Sequence, residues 1–288
     1  MPSLFQIECP VVDYDLAATL TSGQAFRWFE RDGWCWGVVR ARWVRLQQRR
    51  DSIIAEVAEP VSDWRWLTDY LQVEQALAPV LAAFPDDQPM RDAVKACRGL
   101  RLLRQEPWEC LASFICSSTK QIVQIKQIVT LLCSRFGEPV SVPAGEETAF
   151  SFPSPDRIAS ADERELRACK MGFRAAYLKA TARAVVAGEI DLNRLHLLPV
   201  SEAREALMDL PGVGRKIADC VLLFAGGFQE AFPVDVWVQK AIRRLYFRGR
   251  RVSARRLQEF GATHFGLWSG YAQQYLFHYM RVHARDRV

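Results

Sequence analysis

The pattern of hydrophobic and polar residues changes about sixty residues into the chain. In the first sixty residues the stretch "GWCWGVVRARWVRLQ" mixes aromatic and β-branched residues with alternating polar ones, and "SIIAEVA" follows as a shorter run of the same kind. The "ERDG" at 30–33 is a candidate hairpin turn between two such runs. We therefore interpret the first sixty residues as strands that form a small antiparallel β domain.

From about Ser62 onward the apolar positions recur with the period of a helix. The segment "TKQIVQIKQIVTLLCSRFG" places one apolar face along a helix and ends on a glycine stop: Ile122, Ile125, Ile128, Val129, Leu132, Phe136, then Gly137. Further helices are predicted over "RAAYLKATARAVVAG" and, at the C-terminal end, over "SGYAQQYLFHYMRVHAR". The fold class is therefore α+β, with an antiparallel β domain over 1–75 and a mainly α-helical domain over 76–288.

A short hairpin between two helices is the first candidate for chemistry. In "LPGVGRKIADC", residues 210–220, Pro211 ends one helix, and Gly212 and Gly214 permit a tight turn with positive φ. The next helix begins at once, so its first backbone N–H groups are free to bind an anion such as a DNA phosphate. The alternative is an αα-corner whose glycines serve only the turn, and the glycines alone do not separate the two.

Lys216 lies in the first turn of that second helix. The helix dipole disfavours a cation there, which favours the neutral amine. A neutral amine is a nucleophile that forms Schiff bases with carbonyl-level carbons. A lysine that only holds a phosphate fits the same position, and the spacing does not decide between these roles.

Asp235 in "FPVDVWV" is placed to cap the helix that follows it. A capping carboxylate that accepts backbone N–H bonds stays ionised at neutral pH, and its charge would stabilise an oxocarbenium-like transition state. The alternative is a purely structural cap. Asp219 is a competing carboxylate one turn from Lys216, but a pair between them would hold the lysine protonated, the wrong state for attack.

Composition narrows the class of protein. Hydrophobic residues make up 50% and charged residues 25%, as in soluble globular proteins. The net charge of +5 and the arginine clusters at 49–52 and 247–256 permit a polyanionic partner, although solvated surface is the better explanation of each cluster taken alone. The eight cysteines contain no C-x-x-C pair, so we expect no zinc or iron–sulfur site and no cofactor. We expect a soluble intracellular protein, since no secretory signal or membrane-spanning run is present.

Taken together, the hairpin and the aspartate resemble the helix-hairpin-helix–Gly/Pro–Asp superfamily of DNA glycosylases, and the lysine is typical of its bifunctional branch. Four further segments are similar to those of 8-oxoguanine DNA glycosylase: "TSGQAFRW" at 21–28, "WECLASFICSS" at 108–118, "MGFRAAYL" at 171–178 and "YAQQYLF" at 271–277. The resemblance covers nearly the whole chain. It implies a TBP-like β domain and a helix-hairpin-helix motif over about 203–225.

The resemblance also implies the chemistry. Lys216 would attack C1′ of a damaged nucleotide flipped out of the duplex, displace the base and hold the sugar as an imine, after which β-elimination nicks the strand. Asp235 would stabilise the developing positive charge and position the amine. The substrate would be duplex DNA that contains oxidised purines, 8-oxoguanine and also formamidopyrimidine.

In the base pocket that the resemblance implies, four residues contact the lesion. Gly23 would offer its carbonyl to the N7–H that distinguishes 8-oxoguanine from guanine, and Gln273 would bind the Watson–Crick edge. Phe277 and Cys220 would sandwich the ring. For these last two residues the alternative is simple core packing.

For the DNA around the lesion, the resemblance assigns phosphate binding to the hairpin glycines Gly212 and Gly214. Phe173 would wedge the duplex and Arg174 would contact the orphaned partner base. The chain also departs from the family. Three residues stand where eukaryotic members have three asparagines, and two others replace an arginine and a histidine: Thr119, Lys120 and Gln121, then Gln124 and Trp237. We therefore predict a relaxed preference for the opposite base.

Two other functions remain open at the level of sequence. A monofunctional alkyl-base glycosylase of the same superfamily activates a water and has no lysine at this position. A non-catalytic helix-hairpin-helix module would use the hairpin only to grip DNA. For either enzyme we expect a monomer with no membrane partner, cytoplasmic and nucleoid-associated in a bacterium or nuclear in a eukaryotic host.

Overall fold

The computed structural model describes residues 4–282, so the end of the predicted C-terminal helix, 283–285, lies outside the described residues. The N-terminal part is one antiparallel sheet in the order β1-β5-β4-β3-β2. Its strands are β1 (Phe5–Pro10), β2 (Phe29–Arg31), β3 (Trp34–Val39), β4 (Arg42–Gln48) and β5 (Ser52–Val57). The predicted turn at 30–33 is confirmed, because Asp32 and Gly33 both have positive φ between β2 and β3.

One helix interrupts the segment predicted as strands. Helix α1 (Leu16–Thr21) begins where the carboxylate of Asp15 accepts a hydrogen bond from the N–H of Ala18 at 2.8 Å. Leu16 and Leu20, one turn apart, are buried under the sheet. The prediction of strands throughout the first sixty residues is therefore wrong here. The cap from Asp15 and the burial of one apolar helical turn outweigh the β-propensity of the two threonines in this helix.

The rest of the described chain is mainly helical, which confirms the α+β class. The helices up to residue 136 are α2 (Arg65–Leu71), α3 (Leu77–Ala82), α4 (Gln88–Cys97), α5 (Pro107–Cys116) and α6 (Ile122–Phe136). After the short strands β6 (Pro139–Val140) and β7 (Ala149–Phe150) come α7 (Pro155–Ser160), α8 (Glu163–Leu166), α9 (Arg174–Val186), α10 (Val200–Met208), α11 (Arg215–Val221), α12 (Val236–Tyr246), α13 (Ala254–Phe265) and α14 (Ser269–Val282). Within residues 4–282 no helix is both long and apolar enough to cross a membrane.

The buried apolar residues form two large clusters. The first joins one face of the sheet to α1 and α2 and, within the N-terminal part, extends to Leu71. The second fills the helical part from Leu77 onward, and the domain boundary at 75/76 stays a prediction. Ala18 and Phe26, from the N-terminal part, pack in the helical cluster, and Leu103, from the helical part, packs in the sheet cluster. The two parts therefore share a packed interface.

Two buried polar residues fasten the segment 21–28 to the helical part. Gln24 is fully buried; its amide nitrogen donates to the carbonyl of Arg101 at 2.8 Å and its amide oxygen accepts from the N–H of Leu103 at 2.8 Å. The carbonyl of Gln24 accepts from the side chain of Gln105 at 2.7 Å. Because every one of these bonds crosses between the two parts, the neighbouring Gly23 is held at a fixed place beside the helices.

Candidate active site

A cavity of about 1030 Å³ opens where the segment 21–28 meets the helical part. Nine of the thirteen residues that the sequence predicted for the site line it: Gly23, Thr119, Lys120, Gln121, Lys216, Cys220, Asp235, Gln273 and Phe277. The four predicted residues that do not line it are Gly212, Gly214, Phe173 and Arg174. Residues from five separate stretches of the chain thus converge on one space, which a core-packing role for each does not require.

The hairpin lies between α10 and α11, as predicted, but only one of its two glycines adopts the left-handed backbone conformation. Gly212 has a φ of +77°, and a Cβ there would lie 2.7 Å from the ring of Tyr177, so both the turn and a close contact require glycine. Gly214 has a φ of −94° and caps α11 in extended conformation, so the prediction of positive φ at both glycines is wrong at this position. A Cβ at Gly214 would contact no described atom within 4 Å, which leaves the N-terminus of α11 open to an approaching group.

Lys216 is the second residue of α11 and its amine faces the cavity. The Nζ donates to the hydroxyl of Ser117 at 3.1 Å and lies 5.0 Å from the ring centroid of Phe114. The Ser117 hydroxyl in turn donates to the carbonyl of Phe114 at 2.6 Å, so its lone pairs face the amine. Ser117 lies within a segment quoted for the family resemblance, yet its contact with Lys216 was not predicted, because the two residues are 99 positions apart.

The competing carboxylate has other partners. Asp219 is buried, and it accepts from Arg204 at 2.6 Å and lies 3.7 Å from the guanidinium of Arg215. Burial raises the pKa of Asp219, and the charge of Arg204 opposes that shift. Its carboxylate is therefore paired with two arginines and forms no ion pair with Lys216.

Asp235 caps α12, as predicted. Its carboxylate accepts from the N–H of Val238 at 2.7 Å, while the residue remains half-buried in the cavity wall. Burial raises the pKa of Asp235 above the usual aspartate value; the bond from Val238 and the positive charge of Lys216 partly offset this. The carboxylate and the Lys216 amine thus interact electrostatically across the same cavity.

The predicted base pocket brings a ring, a thiol and an amide together. A Cβ on Gly23, whose φ is +83°, would lie 2.7 Å from the side chain of Ile122 and 3.2 Å from the ring of Phe277, so only glycine fits there. The thiol of Cys220 is buried, which raises its pKa to about 12 and keeps it neutral. The amide oxygen of Gln273 is buried and has no hydrogen-bond partner among residues 4–282. An unpaired buried acceptor in a cavity wall is a position where a ligand donor would be bound.

The two residues predicted to act on the duplex have different surroundings. Phe173 is 57% exposed and meets the ring of Tyr177 edge-on at 6.0 Å, as an exposed wedge would. Arg174 is only 4% exposed, and its guanidinium donates to the carbonyls of Ser118 at 2.8 Å and Met171 at 3.1 Å. A contact between Arg174 and an orphaned base would require these bonds to break, and that contact stays a prediction.

Four of the five substituted family positions lie in the turn before α6 or in its first turn, and the fifth, Trp237, lies in α12. Thr119 has a φ of +57°, an unusual value for a β-branched residue, and its hydroxyl accepts from Arg174 at 2.5 Å. The amide oxygen of Gln124 accepts from the backbone N–H of Gln121 at 3.1 Å, which caps α6. The side chains of Thr119 and Gln124 therefore support the turn in this structure, with Lys120 and Gln121 at the cavity wall.

Comparisons with known proteins identify the family of this chain. Residues 6–111 match the family of the 8-oxoguanine DNA glycosylase N-terminal domain, and residues 112–262 match the HhH-GPD superfamily of base excision DNA repair proteins. A probable N-glycosylase/DNA lyase of Methanothermobacter thermautotrophicus is 29% identical over 94% of this chain and 95% of that protein. The N-glycosylase/DNA lyase OGG1 of Arabidopsis thaliana is 32% identical over 96% of this chain and 80% of that protein.

A solved structure has the same fold. The 8-oxoguanine glycosylase/lyase of Clostridium acetobutylicum, in complex with double-stranded DNA that contains cytosine opposite 8-oxoguanine, aligns with a TM-score of 0.90. It is 29% identical to this chain, and the alignment covers 99% of both chains. The likeness therefore includes the sheet as well as the helices.

Proposed function

This chain belongs to the 8-oxoguanine DNA glycosylase/lyases of the HhH-GPD superfamily, and we propose that it acts through a Schiff base formed by Lys216 in the cavity described above. It is a bifunctional glycosylase/lyase of base excision repair, as the resemblance in the sequence indicated. The observation that carries the proposed mechanism is that an amine, a carboxylate and an unpaired amide acceptor line one cavity: Lys216, Asp235 and Gln273.

In the proposed mechanism the damaged nucleotide is flipped into the cavity. The neutral amine of Lys216 attacks C1′ as the bond between C1′ and the base breaks, and the base leaves with the bonding electrons. One proton of the attached amine then passes to O4′ as the bond between C1′ and O4′ breaks, which opens the sugar ring and leaves a protonated imine between C1′ and Nζ. Removal of a proton from C2′, with the departed base as acceptor, breaks the bond to the 3′ oxygen and nicks the strand.

The surroundings of Lys216 suit this attack. The hydroxyl of Ser117 accepts one hydrogen bond from the amine at 3.1 Å, which orients Nζ, and no carboxylate within residues 4–282 forms an ion pair with it. The carboxylate of Asp235 supplies negative charge where positive charge develops on the sugar, and low solvent access strengthens this effect. Asp219 takes no part, because Arg204 and Arg215 neutralise it.

We assign base recognition to the wall formed by Gly23, Gln273, Phe277 and Cys220. The unpaired oxygen of Gln273 would accept from a donor on the Watson–Crick edge of the purine, and the carbonyl of Gly23 would accept from N7–H. The ring of Phe277 and the neutral thiol of Cys220 supply apolar faces for the base. A ring-opened formamidopyrimidine offers similar donors, and we include it among the substrates.

Borohydride trapping tests the mechanism directly. We expect reduction during turnover of a duplex with 8-oxoguanine opposite cytosine to give a covalent complex, and peptide mass mapping to place the adduct on Lys216. Lys120 also lines the cavity, so the mapping separates the two amines. An adduct on Lys120, or base release without any adduct, would overturn the assignment, and the latter would favour a water-activating enzyme.

Gln273→Leu separates recognition from folding. Loss of the amide leaves a donor of the bound base unpaired, at a cost of about 1–3 kcal/mol, so kcat/KM for 8-oxoguanine should fall about 5- to 150-fold. The free protein loses an amide whose oxygen is unpaired and whose nitrogen makes no hydrogen bond within residues 4–282, so we expect its urea midpoint to be unchanged or higher. A variant that is destabilised but fully active would contradict the assignment to base recognition.

The opposite-base preference is expected to be weak. Arg174 is bonded to Ser118 and Thr119, and Gln124 caps α6, so three side chains at these family positions are occupied within the protein. We predict that single-turnover rates on duplexes with cytosine, thymine, guanine or adenine opposite 8-oxoguanine lie within about tenfold of one another, a spread of about 1.4 kcal/mol. A preference for cytosine above 100-fold would show that Arg174 leaves its partners and reads the opposite base.

A further inference from the structure

The excess of positive charge in this chain is concentrated in one continuous segment. Residues 236–258, here called the arginine segment, contain eight lysines and arginines and no aspartate or glutamate. The other 265 residues contain thirty basic and thirty-three acidic residues, so outside this segment the chain is slightly acidic although its net charge is +5. A general basic character does not explain such a distribution.

Five of the eight cations of this segment are exposed and form no ion pair within residues 4–282. Arg244, Arg248, Arg250 and Arg251 are all exposed, and within residues 4–282 their guanidinium groups make no hydrogen bond or ion pair. Only Arg255 and Arg256, further along, lie against a carboxylate, that of Glu259. Four unpaired like charges on a short surface repel one another, and a bound polyanion would relieve that repulsion.

The segment has an ordered backbone. Arg243 donates from its guanidinium to the carbonyl of Val252 at 2.7 Å, which fastens the loop after α12 to the helix. The N–H of Gly249 bonds to the carbonyl of Arg243 at 2.8 Å, and that of Arg250 bonds to the carbonyl of Phe247 at 2.9 Å. The loop therefore presents its arginines from a folded surface.

The segment also begins at the cavity. Trp237, in the first turn of α12, lines the cavity wall, and the Nζ of Lys240 lies 5.5 Å from the centroid of its ring. Lys240 and Arg244 are four residues apart and so share one face of the helix. The eleven residues of α12 span about 16 Å, so the basic face extends about that far from the cavity. Duplex DNA carries one charge for about every 1.7 Å of its axis, so several phosphates lie within that length.

From this placement we propose that the arginine segment binds the phosphate backbone of duplex DNA on one side of the lesion, along the arm that leaves the cavity at the start of α12. The inference rests on the proposed function only in that it takes the cavity as the place of the flipped nucleotide. The groups that bind are Lys240, Arg244, Arg248, Arg250 and Arg251, and they contact no base. They contribute affinity and fix the direction of the duplex without reading sequence.

Binding to a non-cleavable abasic analogue tests this proposal. Three duplexes are compared: long on both sides of the analogue, shortened only on its 5′ side, and shortened only on its 3′ side. We expect Arg244→Gln/Arg251→Gln to weaken binding of the long duplex about tenfold and to lower the slope of log K against log salt by about 1.8. The same variant should show no loss on one of the two shortened duplexes, the one that lacks the contacted arm.

The matched control is Arg49→Gln/Arg50→Gln, which removes the same charge from an exposed turn of the sheet. Unchanged affinity and salt slope in this control would support a local contact. An equal loss in the control, or an equal loss on all three duplexes, would show a general charge effect and overturn the proposal. No loss in the arginine-segment variant would also overturn it, and would leave the segment to a partner other than DNA. Because no bond is cleaved, the result does not depend on the chemistry of Lys216.

Discussion

Replacement of Lys216 by glutamine is expected to abolish base release and strand nicking together, while the protein still binds lesion-containing duplex. Glutamine is one bond shorter than lysine but keeps an N–H donor at the end that faces Ser117. It has no nucleophilic nitrogen, so the imine cannot form. We expect the single-turnover rate to fall by at least about 1,000-fold, which corresponds to about 4 kcal/mol.

The measurement is single-turnover cleavage of a duplex with 8-oxoguanine opposite cytosine, with base release and nicking followed separately. Lys120→Gln is the matched control, because it removes the other lysine of the same cavity. Its affinity for DNA should decrease, but at saturating enzyme it should still form the borohydride-trapped adduct. Loss of the adduct in both variants would point to a damaged cavity rather than to a missing nucleophile.

This experiment also separates the remaining alternatives. A module that only grips DNA would lose affinity and salt dependence when Lys216 is replaced, because the lysine would act as a phosphate ligand. A water-activating glycosylase would keep base release and have no nicking to lose. Only a nucleophilic lysine predicts that both steps stop while binding remains.

The parts of the site that local sequence could predict are those defined by short-range rules. Pro211 and Gly212 mark the turn, Lys216 follows by position, and Asp235 precedes an apolar-periodic run as an N-cap does. Each of these predictions depends on fewer than ten consecutive residues. The local rule failed at Gly214, because a glycine before a helix serves equally well as an extended N-cap.

The parts that could not be predicted depend on contacts between distant residues. The bond between Lys216 and Ser117, the unpaired oxygen of Gln273 and the burial of Arg174 each arise only when separate helices pack. Helix α1 was missed because six residues give little periodicity, and its burial under the sheet decides its structure. The resemblance to a family placed Gln273 and Arg174 in a site, but it did not indicate that the amide oxygen of Gln273 would be unpaired or that Arg174 would be bonded to Ser118 and Met171.

The second large effect is expected from Asp235→Asn. Asparagine caps a helix as well as aspartate does, so the bond from the N–H of Val238 can be kept and the fold should persist. The negative charge that faces the developing cation is lost. We expect the rate of base release to fall about 100- to 1,000-fold, in line with the loss of one preorganised electrostatic contact.

The pH dependence of the rate of base release distinguishes an electrostatic role of Asp235 from a purely structural role as a helix cap. Burial raises the pKa of Asp235, and the ionised form is the active one, so the wild-type rate should fall as pH decreases through that raised pKa. The limb should lie above the usual aspartate range and should be absent in Asp235→Asn. The free energy of unfolding depends on pH in the opposite direction from the rate. The folded state binds the proton of Asp235 more tightly than the unfolded state does. The contribution of Asp235 to stability is therefore lost as pH rises through the window from its pKa in the unfolded state to its higher pKa in the folded state.

Asp15→Asn provides the matched control, since Asp15 caps α1 by the same kind of bond and does not line the cavity. If Asp235 were only a cap, both variants would retain activity and the acid limb. If its charge stabilises the transition state, only Asp235→Asn loses the rate and the limb, and its urea midpoint relative to wild type should rise as pH increases through the window. Such a gain in relative stability together with a loss of rate would show that the buried charge of Asp235 is retained at a cost to folding, because catalysis requires it.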